Sequence, residues 1–458
     1  MRALSRSNYF ASNEDRFLNE IIDILRIPSV STDPAHKSDL VRMAAWIVER
    51  MKQIGVPTVE LVETAGHPIV EGRWHVDEGR KILLVYGHYD VQPPDPLELW
   101  ESGPFEAAIR DGKIFARGSA DMKINLATFL QALEAIVSEH GQPPLNLIFL
   151  FEGEEEIGSS NLKRFLTEQA GRLACDAVLS LDSGFPAVGV PGFFVALKGG
   201  AGGQIDIRTG ETDLHSGGYG AAVPNANQVL AKLAASFHTP DGRVAIEGFY
   251  DRVVDLTDAD RAEIAYSASV MRDVQEESGV YTLWGEEGYA PYERIGARPT
   301  LDINGMWGGF TGEGAKTVTP CEAHLKLTCR LVPNQDPDEI NRLIQAHIAK
   351  HIPEGVQATY TARESFSSAY SIPRDNWALQ RAASVMSDVY GIPPVFFRTG
   401  GSVPITHVFK QTLGAETVSL GFFQPGTPIH APNEWFRLED IPMAQRSYAA
   451  VLDALGED

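Results

Sequence analysis

Hydrophobic residues follow two different patterns along this chain, and the two patterns predict two kinds of domain. The first part alternates continuous apolar runs with segments in which apolar residues recur at helical spacing. Strands are predicted at 81–87, 145–151 and 177–182, and helices at 14–26, at 38–54 and after Asp121. Strands that are continuously apolar and alternate with helices indicate an α/β domain with a mostly parallel sheet.

The pattern changes near residue 195, where apolar and polar positions begin to alternate. The alternating segments are FFVALKGG, GGQIDIRTG, PTLDINGMWGG, HLKLTCRLVP and VQATYTARES, with amphipathic helices at 225–237 and 336–350. Alternation is typical of half-buried antiparallel strands. The α/β pattern resumes after about residue 370. We therefore expect a first domain formed by 1–195 and 371–458, with an α+β domain inserted at 196–370.

Composition narrows the classes of function. The 458 residues are 43% hydrophobic and 22% charged, which suits a soluble protein with two cores. The net charge of −22 and the lack of a basic stripe argue against nucleic acid and anionic membranes as partners. Three cysteines without a C-x-x-C pair suit a reducing compartment. With no apolar leader or membrane span in the sequence, we expect a cytoplasmic protein.

Potential metal ligands follow the apolar runs. The segments are ILLVYGHYD at 82–90, NLIFLFEGEEEIGS at 146–159, AVLSLD at 177–182 and TVSLGFFQPGTPIHAPNE at 417–434, with a fifth acid in ARGSADMKINL at 116–126. Ligands in open α/β sheets bind outside the carboxyl ends of the strands. The sequence therefore predicts that one site is assembled from five places.

Each of these residues also has an ordinary structural interpretation. His88 and Asp90 lie two positions apart, so in an extended strand they point to the same side, and Asp90 can fix the tautomer of a ligating His88. They could equally be a packed His-Asp pair. Asp121 stands where a helix-capping aspartate is common, and Asp182 is ambiguous in the same way. Their joint placement favours a site.

The acid run EGEEEIGS is the strongest indication of a metal site. Four carboxylates follow a buried strand directly, where like charges repel unless a cation compensates. A solvated acidic loop is the usual interpretation of such a run, but its position at the end of a buried strand favours a cationic centre. His430 supplies a second imidazole. Two histidines with several acids and no cysteine suit zinc, manganese or cobalt better than calcium.

These motifs in this order resemble the M20-type metallopeptidases over nearly the whole chain. The series is G-H-x-D, G-x-x-D, E-G-x-E-E-x-G-S, a strand-end Asp and a late His. The group includes carnosinase-like dipeptidases, glutamate carboxypeptidases, aminoacylases and the acetylornithine and succinyl-diaminopimelate deacylases. The resemblance implies a catalytic domain of zinc-exopeptidase type and an inserted, ferredoxin-like lid and dimerisation domain.

The resemblance also implies two divalent metal ions per chain, with zinc as the first choice and manganese or cobalt as alternatives. His88 and Asp182 would bind one ion, Glu156 and His430 the other, and Asp121 both. Glu155 would be the general base, Asp90 would orient His88, and the peptide bond after Asp121 would be cis.

Substrate contacts are implied in the same way. His215, in the D-L-H-S-G segment of the lid, would reach the partner subunit's site and stabilise the oxyanion. Thr317 and Arg330 would hold the free carboxylate of the substrate, and Gly401 and Ser402 would make further contacts. Family dipeptidases often carry an acid before G-G-S, whereas this chain has Arg398 and Thr399, so recognition of the amino end stays open.

An extra helical segment at about 238–300 resembles the carnosinase-like dipeptidases. The predicted function is therefore hydrolysis of dipeptides by a water that bridges two metals, with Glu155 as base, in a homodimer joined through the lid. The alternative is an N-acyl amino acid deacylase. An exopeptidase for longer chains also remains open. A non-catalytic binding protein is expected to lack at least one ligand or the base, and here all are present.

Overall fold

The computed structural model describes residues 2–363, 367–401 and 403–457. The chain divides into two compact units, which we call the first and the second unit. The first unit comprises Met1–Val195, Ile372–Phe397 and Val408–Asp458, and the second comprises Ala196–Ser371 and Arg398–His407. Each is described by itself below.

The placement of Arg398–His407 differs from the sequence prediction, which assigned these residues to the first domain. The physical reason is a set of contacts with the second unit. The guanidinium of Arg398 donates to Asp260 Oδ1 at 2.5 Å, and the backbone N–H of Lys198 donates to the carbonyl of Gly401 at 2.9 Å. These bonds attach the segment to the second unit.

A six-stranded sheet forms the centre of the first unit. In spatial order its strands are Thr58–Val62, Ile69–Trp74, Asn146–Glu152, Ile82–His88, Ala177–Ser180 and Thr417–Ser419. The last four run parallel to one another, and the first two pair antiparallel. The predicted α/β class with a mostly parallel sheet is confirmed.

Helices cover this sheet. They are Arg2–Ser12, Glu14–Leu25, Lys37–Ile54, Ile124–His140, Ser160–Gln169, Trp377–Tyr390, Asp440–Leu455 and the C-terminal part of Pro404–Leu413, which enters the first unit at Val408. Helix Lys37–Ile54 shows why such segments fold as they do: Leu40, Met43, Ile47 and Met51 recur at helical spacing and are buried. The helix ends where Gly55 takes the left-handed conformation, at φ 99°.

The chain also forms two small sheets of short strands. Ala108–Arg110, Lys113–Phe115 and Trp435–Arg437 form one three-stranded sheet, and Gly192–Leu197, Tyr370–Ser371 and Val395–Thr399 form another. Within the described residues, no helix is both long enough and apolar enough to cross a membrane.

The second unit is built on a four-stranded antiparallel sheet. Its strands, in spatial order, are Thr300–Gly308, Glu322–Leu331, Gly199–Arg208 and Gln357–Ala362. Helices Ala226–Ser236 and Pro337–His351 contribute to the same apolar core as these strands. The chain order strand, helix, strand, strand, helix, strand is the ferredoxin-like arrangement that the resemblance implied.

The remaining elements of the second unit are short. They are helices Ser216–Tyr219, Asp258–Val270, Val274–Ser278 and Pro291–Ala297, and strands Leu214–His215 and Val318–Thr319. Three of these helices make up the extra segment predicted between about 238 and 300. Helix Asp258–Val270 begins with a capping box, in which Thr257 and Asp260 each bond the other's backbone N–H.

Candidate active site

Five loops at one edge of the central sheet bring the predicted metal ligands together. The residues are His88 at the end of strand Ile82–His88, Asp121 in the irregular turn Ser119–Lys123, Glu156 after strand Asn146–Glu152, Asp182 after strand Ala177–Ser180, and His430 after strand Thr417–Ser419. Because parallel strands end at a common edge, segments far apart in sequence meet there. The peptide bond between Asp121 and Met122 is cis.

The first group of potential ligands contains His88, Asp121 and Asp182. His88 Nε2 lies 3.0 Å from Asp121 Oδ1 and 4.0 Å from Asp182 Oδ2. His88 is fully buried, and the two carboxylates are mostly buried. One donor atom from each residue lies within 4.8 Å of the others, so together they could hold one ion.

The second group contains Asp121, Glu156 and His430. His430 Nε2 lies 3.0 Å from Asp121 Oδ2 and 3.3 Å from Glu156 Oε2. The side chain of His430 is half exposed, whereas that of Glu156 is almost fully buried. Asp121 therefore belongs to both groups and directs a different carboxylate oxygen to each histidine.

The electrostatics of the cluster suit positive charge. Burial, together with the charge of Asp121, raises the pKa of Asp182 to about 7. Burial also raises the pKa of Glu155 well above its usual value, although His88 opposes this. Hydrogen bonds to Asp121 and Glu156 raise the pKa of His430 to about 10. Carboxylates gathered out of water are stabilised by a cation, so this donor set fits divalent metal ions.

Asp90 lies beside His88, on the side away from the ligand groups. Its Oδ1 is 3.4 Å from His88 Nδ1. The same carboxylate accepts hydrogen bonds from the backbone N–H groups of Glu155 and Glu156, at 3.2 and 3.1 Å. Asp90 thus connects the loop that carries Glu155 to the strand that carries His88.

The acid run divides into two pairs with different environments. Glu152 is buried and accepts hydrogen bonds from the hydroxyls of Tyr86 and Ser159. Glu154 accepts from the backbone N–H groups of His67 and Asn161 and from the Asn161 amide. These two acids hold the loop in place.

Glu155 and Glu156 belong to the cluster itself. Glu155 is close enough to His88 and Asp182 for their charges to shift its pKa. Glu156 accepts a hydrogen bond from Gln92 Nε2 at 2.9 Å. The sequence pattern alone did not separate the four acids, because the donors from Tyr86, His67 and Gln92 come from distant segments.

Sequence reasoning missed Gln92 and Glu434. Glu434 is fully buried, forms an ion pair with Arg117 at 2.7 Å, and accepts a hydrogen bond from the backbone N–H of Asp121. The available signal was its position, since it is the second ionisable residue in the IHAPNE segment that supplies His430.

The second unit holds the other predicted residues. Nδ1 of His215 accepts hydrogen bonds from the N–H groups of Gly217 and Gly218, which places the ring proton of the neutral imidazole on Nε2. Thr317 is adjacent, because its carbonyl accepts from the N–H of Ser216. His215 and Thr317 line an open cavity of about 690 Å³.

Arg330 and Gly401 lie elsewhere in the second unit. Arg330 is exposed in strand Glu322–Leu331, in register with Thr300 and Gly200. Gly401 is exposed and is held by Lys198 through its carbonyl. Ser402 lies outside the described residues. The structure thus groups the five potential ligands with Glu155 and Asp90 in the first unit, and His215, Thr317, Arg330 and Gly401 in the second.

Comparison with known proteins agrees with this geometry. Residues 84–454 match the sequence profile of Peptidase family M20/M25/M40, and the chain belongs to this family. The predictions of an M20-type peptidase and of its fold class are confirmed.

Three relatives illustrate the match. The Cys-Gly metallodipeptidase dug1 of Schizosaccharomyces pombe is 29% identical over 444 residues, with 93% of each chain covered. The solved structure of the di-peptidase Dug1p from Saccharomyces cerevisiae is 26% identical, has a TM-score of 0.80, and the match covers 100% of this chain and 99% of that one. The M20 family metallo-carboxypeptidase Sso-CP2 from Sulfolobus solfataricus is 31% identical, with a TM-score of 0.82 and coverage of 96% and 99%.

Proposed function

We propose that this chain is a metallodipeptidase that holds two divalent ions. The observation that carries the proposal is the position of Asp121, whose two carboxylate oxygens each lie 3.0 Å from a different histidine. A carboxylate between two ligand groups is suited to bridge two ions. His88 and Asp182 complete one site, and Glu156 and His430 complete the other.

Two divalent ions held by these residues would supply a Lewis acid for the substrate carbonyl and would lower the pKa of a water molecule toward about 7. Glu155 accepts the proton of the attacking water and passes it to the leaving nitrogen. Asp90 fixes the backbone of Glu155 through the hydrogen bond to Glu155 N. Gln92 orients Glu156 toward His430.

Residues of the second unit are proposed to bind the substrate. Arg330 presents a forked guanidinium that suits a carboxylate, and Thr317 offers a hydroxyl. Gly401 and Ser402 are proposed as further contacts. The ring proton on Nε2 of His215 makes this residue a donor for the developing oxyanion.

We further propose a homodimer formed through the second unit, with His215 acting in the partner's site. The edge strand Thr300–Gly308 supports this, because Ile303, Met306 and Trp307 are large apolar side chains exposed on it. Exposed apolar residues on an edge strand are typical of an interface. The three free cysteines suit a reducing compartment such as the cytoplasm.

Dipeptides are the proposed substrates because the dug1 relative is named a Cys-Gly metallodipeptidase and its match spans almost the whole of both chains. We propose a dipeptide with a free carboxylate, with Cys-Gly as the first to test. Zinc is the first choice of metal from the mixture of imidazole and carboxylate donors, with manganese or cobalt as alternatives.

A second candidate function is carboxypeptidase activity on longer peptides. The observation in its favour is the 31% identity to the metallo-carboxypeptidase Sso-CP2. Both activities cleave the amide bond next to a free carboxylate, so the same metal ligands, base and Arg330 would serve either.

A hydrolysis screen separates these candidates. Metal-loaded protein is incubated with Cys-Gly and other dipeptides, with a tripeptide, and with N-acetyl amino acids, and product amines are quantified. The proposal predicts the highest kcat/KM on a dipeptide. Preference for the tripeptide would favour the carboxypeptidase, and preference for every N-acetyl substrate over every dipeptide would favour the deacylase.

A further inference from the structure

Glu434 is a buried carboxylate on which several donors from one turn converge. Its side chain is fully buried, and so is that of its ion-pair partner Arg117. Oε2 accepts from Arg117 Nη1 at 2.7 Å and from the N–H of Gly118 at 3.0 Å. Oε1 accepts from the N–H groups of Ala120 and Asp121, at 2.7 and 3.1 Å.

The turn that Glu434 holds is the one that presents Asp121. Gly118 takes φ 83°, and a Cβ at that position would lie 2.6 Å from Val91 Cγ1. The backbone N–H groups of Gly118, Ala120 and Asp121 need acceptors when they are buried, and here one carboxylate supplies them.

Glu434 also belongs to the segment that presents His430. Strand Trp435–Arg437 pairs antiparallel with Lys113–Phe115. The ladder continues through the carbonyl of Glu434, which accepts from the N–H of Ala116 at 3.1 Å. Beyond that point the Glu434 side chain replaces the backbone as acceptor for the turn.

These contacts have a consequence for the metal site. Backbone pairing joins the segments 113–121 and 430–437 at one end, and the Glu434 carboxylate joins them at the other end. At that second end, Asp121 Oδ2 and His430 Nε2 lie 3.0 Å apart. His88 and Asp182, by contrast, come from strands of the central sheet, whose pairing does not involve Glu434.

We propose that Glu434 is a positioning residue for the second ion, the one assigned to Asp121, Glu156 and His430. It sets the distance between the Asp121 turn and the His430 segment. Its loss weakens binding of the second ion more than binding of the ion at His88 and Asp182. This inference rests on the proposed metal ligands.

The test measures metal affinity in the full-length protein. Glu434→Gln keeps the size of the side chain but directs an amide NH₂ at backbone N–H donors, so one oxygen no longer accepts. Chelator-treated wild type and variant are titrated calorimetrically with Zn²⁺ and, separately, Mn²⁺. Groups that orient metal ligands typically contribute about 10–100-fold in affinity. We expect binding at the site of Asp121, Glu156 and His430 to weaken by that factor, and binding at the site of His88 and Asp182 to stay within about twofold; the step that is lost in His430→Ala identifies the former site.

Two further variants serve as references. Glu71→Gln is the matched control, because Glu71 is also a buried carboxylate of the first unit, paired with Arg172 at 2.6 Å and bonded to Arg73. It should bind both ions as wild type does, even if it is less stable. His430→Ala removes a proposed ligand and defines the signature of losing the second ion, which Glu434→Gln should resemble.

Activity gives an independent readout. With limiting metal, kcat of Glu434→Gln should fall while KM changes little, and excess metal should restore kcat. A purely structural role would lower thermal stability without weakening one metal site selectively. If Glu434→Gln does not fold, Glu434→Asp keeps the charge one methylene further away and should show the same selective weakening.

Several results would overturn the inference. Unchanged affinity in Glu434→Gln, or equal weakening of both steps in whichever variant folds, would assign Glu434 a structural role alone. Failure of the proposed metal centre is distinguishable, because wild-type protein would then bind fewer than two ions.

Discussion

At the scale of single residues, adjacent Glu155 and Glu156 are expected to have different roles. Glu156 lies 3.3 Å from His430 and is oriented by Gln92, as a ligand would be. Glu155→Gln removes a proton acceptor without changing shape. Its kcat should fall by at least about 100-fold with both metals retained. Glu156→Gln should instead reduce metal content.

Elemental analysis of both variants, alongside steady-state kinetics, checks this assignment. Metal loss in Glu155→Gln together with full loading in Glu156→Gln would show that the two roles are reversed.

At the residue scale, the sequence identified the potential metal ligands but not the hydrogen bonds that hold the neighbouring acids. His88, Asp121, Asp182 and His430 follow apolar strands or begin a helix, and that position is visible in the sequence. Glu154 accepts from the N–H of His67, and Glu434 accepts from donors at residues 117–121, all of them in distant segments. Only the fold brings those donors close, so the sequence showed these acids without their function.

At the scale of elements, the interior strands were predicted well and the antiparallel edge was not. Strands Ile82–His88 and Asn146–Glu152 are apolar except at their ends, because helices cover both faces of the sheet. Thr58–Val62 is half exposed, and Ile69–Trp74 includes the charged Glu71 and Arg73, so neither shows a clear period.

Helix Pro337–His351 carries a histidine that should make stability depend on pH. His347 stacks on Phe237 and on His351, with ring centroids 5.1 and 4.0 Å apart, and its Nε2 lies 2.9 Å from the Ser236 hydroxyl. Burial, with the nearby charges of His351 and Lys350, lowers the pKa of His347 from 6.5 to about 4. The folded state therefore favours the neutral ring.

The sign of this pH dependence follows from which state, the folded or the unfolded one, binds more protons. Between pH 6.5 and 4 the unfolded chain protonates His347 while the folded protein does not. The stabilisation is thus complete above the unfolded pKa and is lost as pH falls through this window. Urea unfolding at several pH values should show a shallower decline for His347→Gln than for wild type. Exposed His75→Gln is the control, and equal slopes for wild type and His347→Gln would contradict the interpretation.

At the scale of the whole molecule, the proposed homodimer with shared sites makes a specific prediction. His215→Ala and Glu155→Gln should each be severely impaired, because an oxyanion donor is worth roughly 10²–10³ in turnover. If His215 acts in the partner's site, a heterodimer of the two variants contains one complete site. Mixing the chains under conditions that exchange subunits should then raise activity above that of either variant.

Two controls make the mixing experiment decisive. Differently tagged chains show that heterodimers have formed, and a mixture of His215→Ala with wild type calibrates the expected recovery. Heterodimers without any recovered activity would place His215 in its own subunit's site or outside catalysis.

The central claim is a two-ion hydrolytic centre, and metal content measured together with activity and thermal stability tests it most directly. Protein purified without chelators should contain about two divalent ions per chain. Chelation should abolish hydrolysis and lower the melting temperature, because bound ions stabilise the folded state by mass action. Returning metal should restore both properties. Full activity in protein that contains no bound metal would contradict the account.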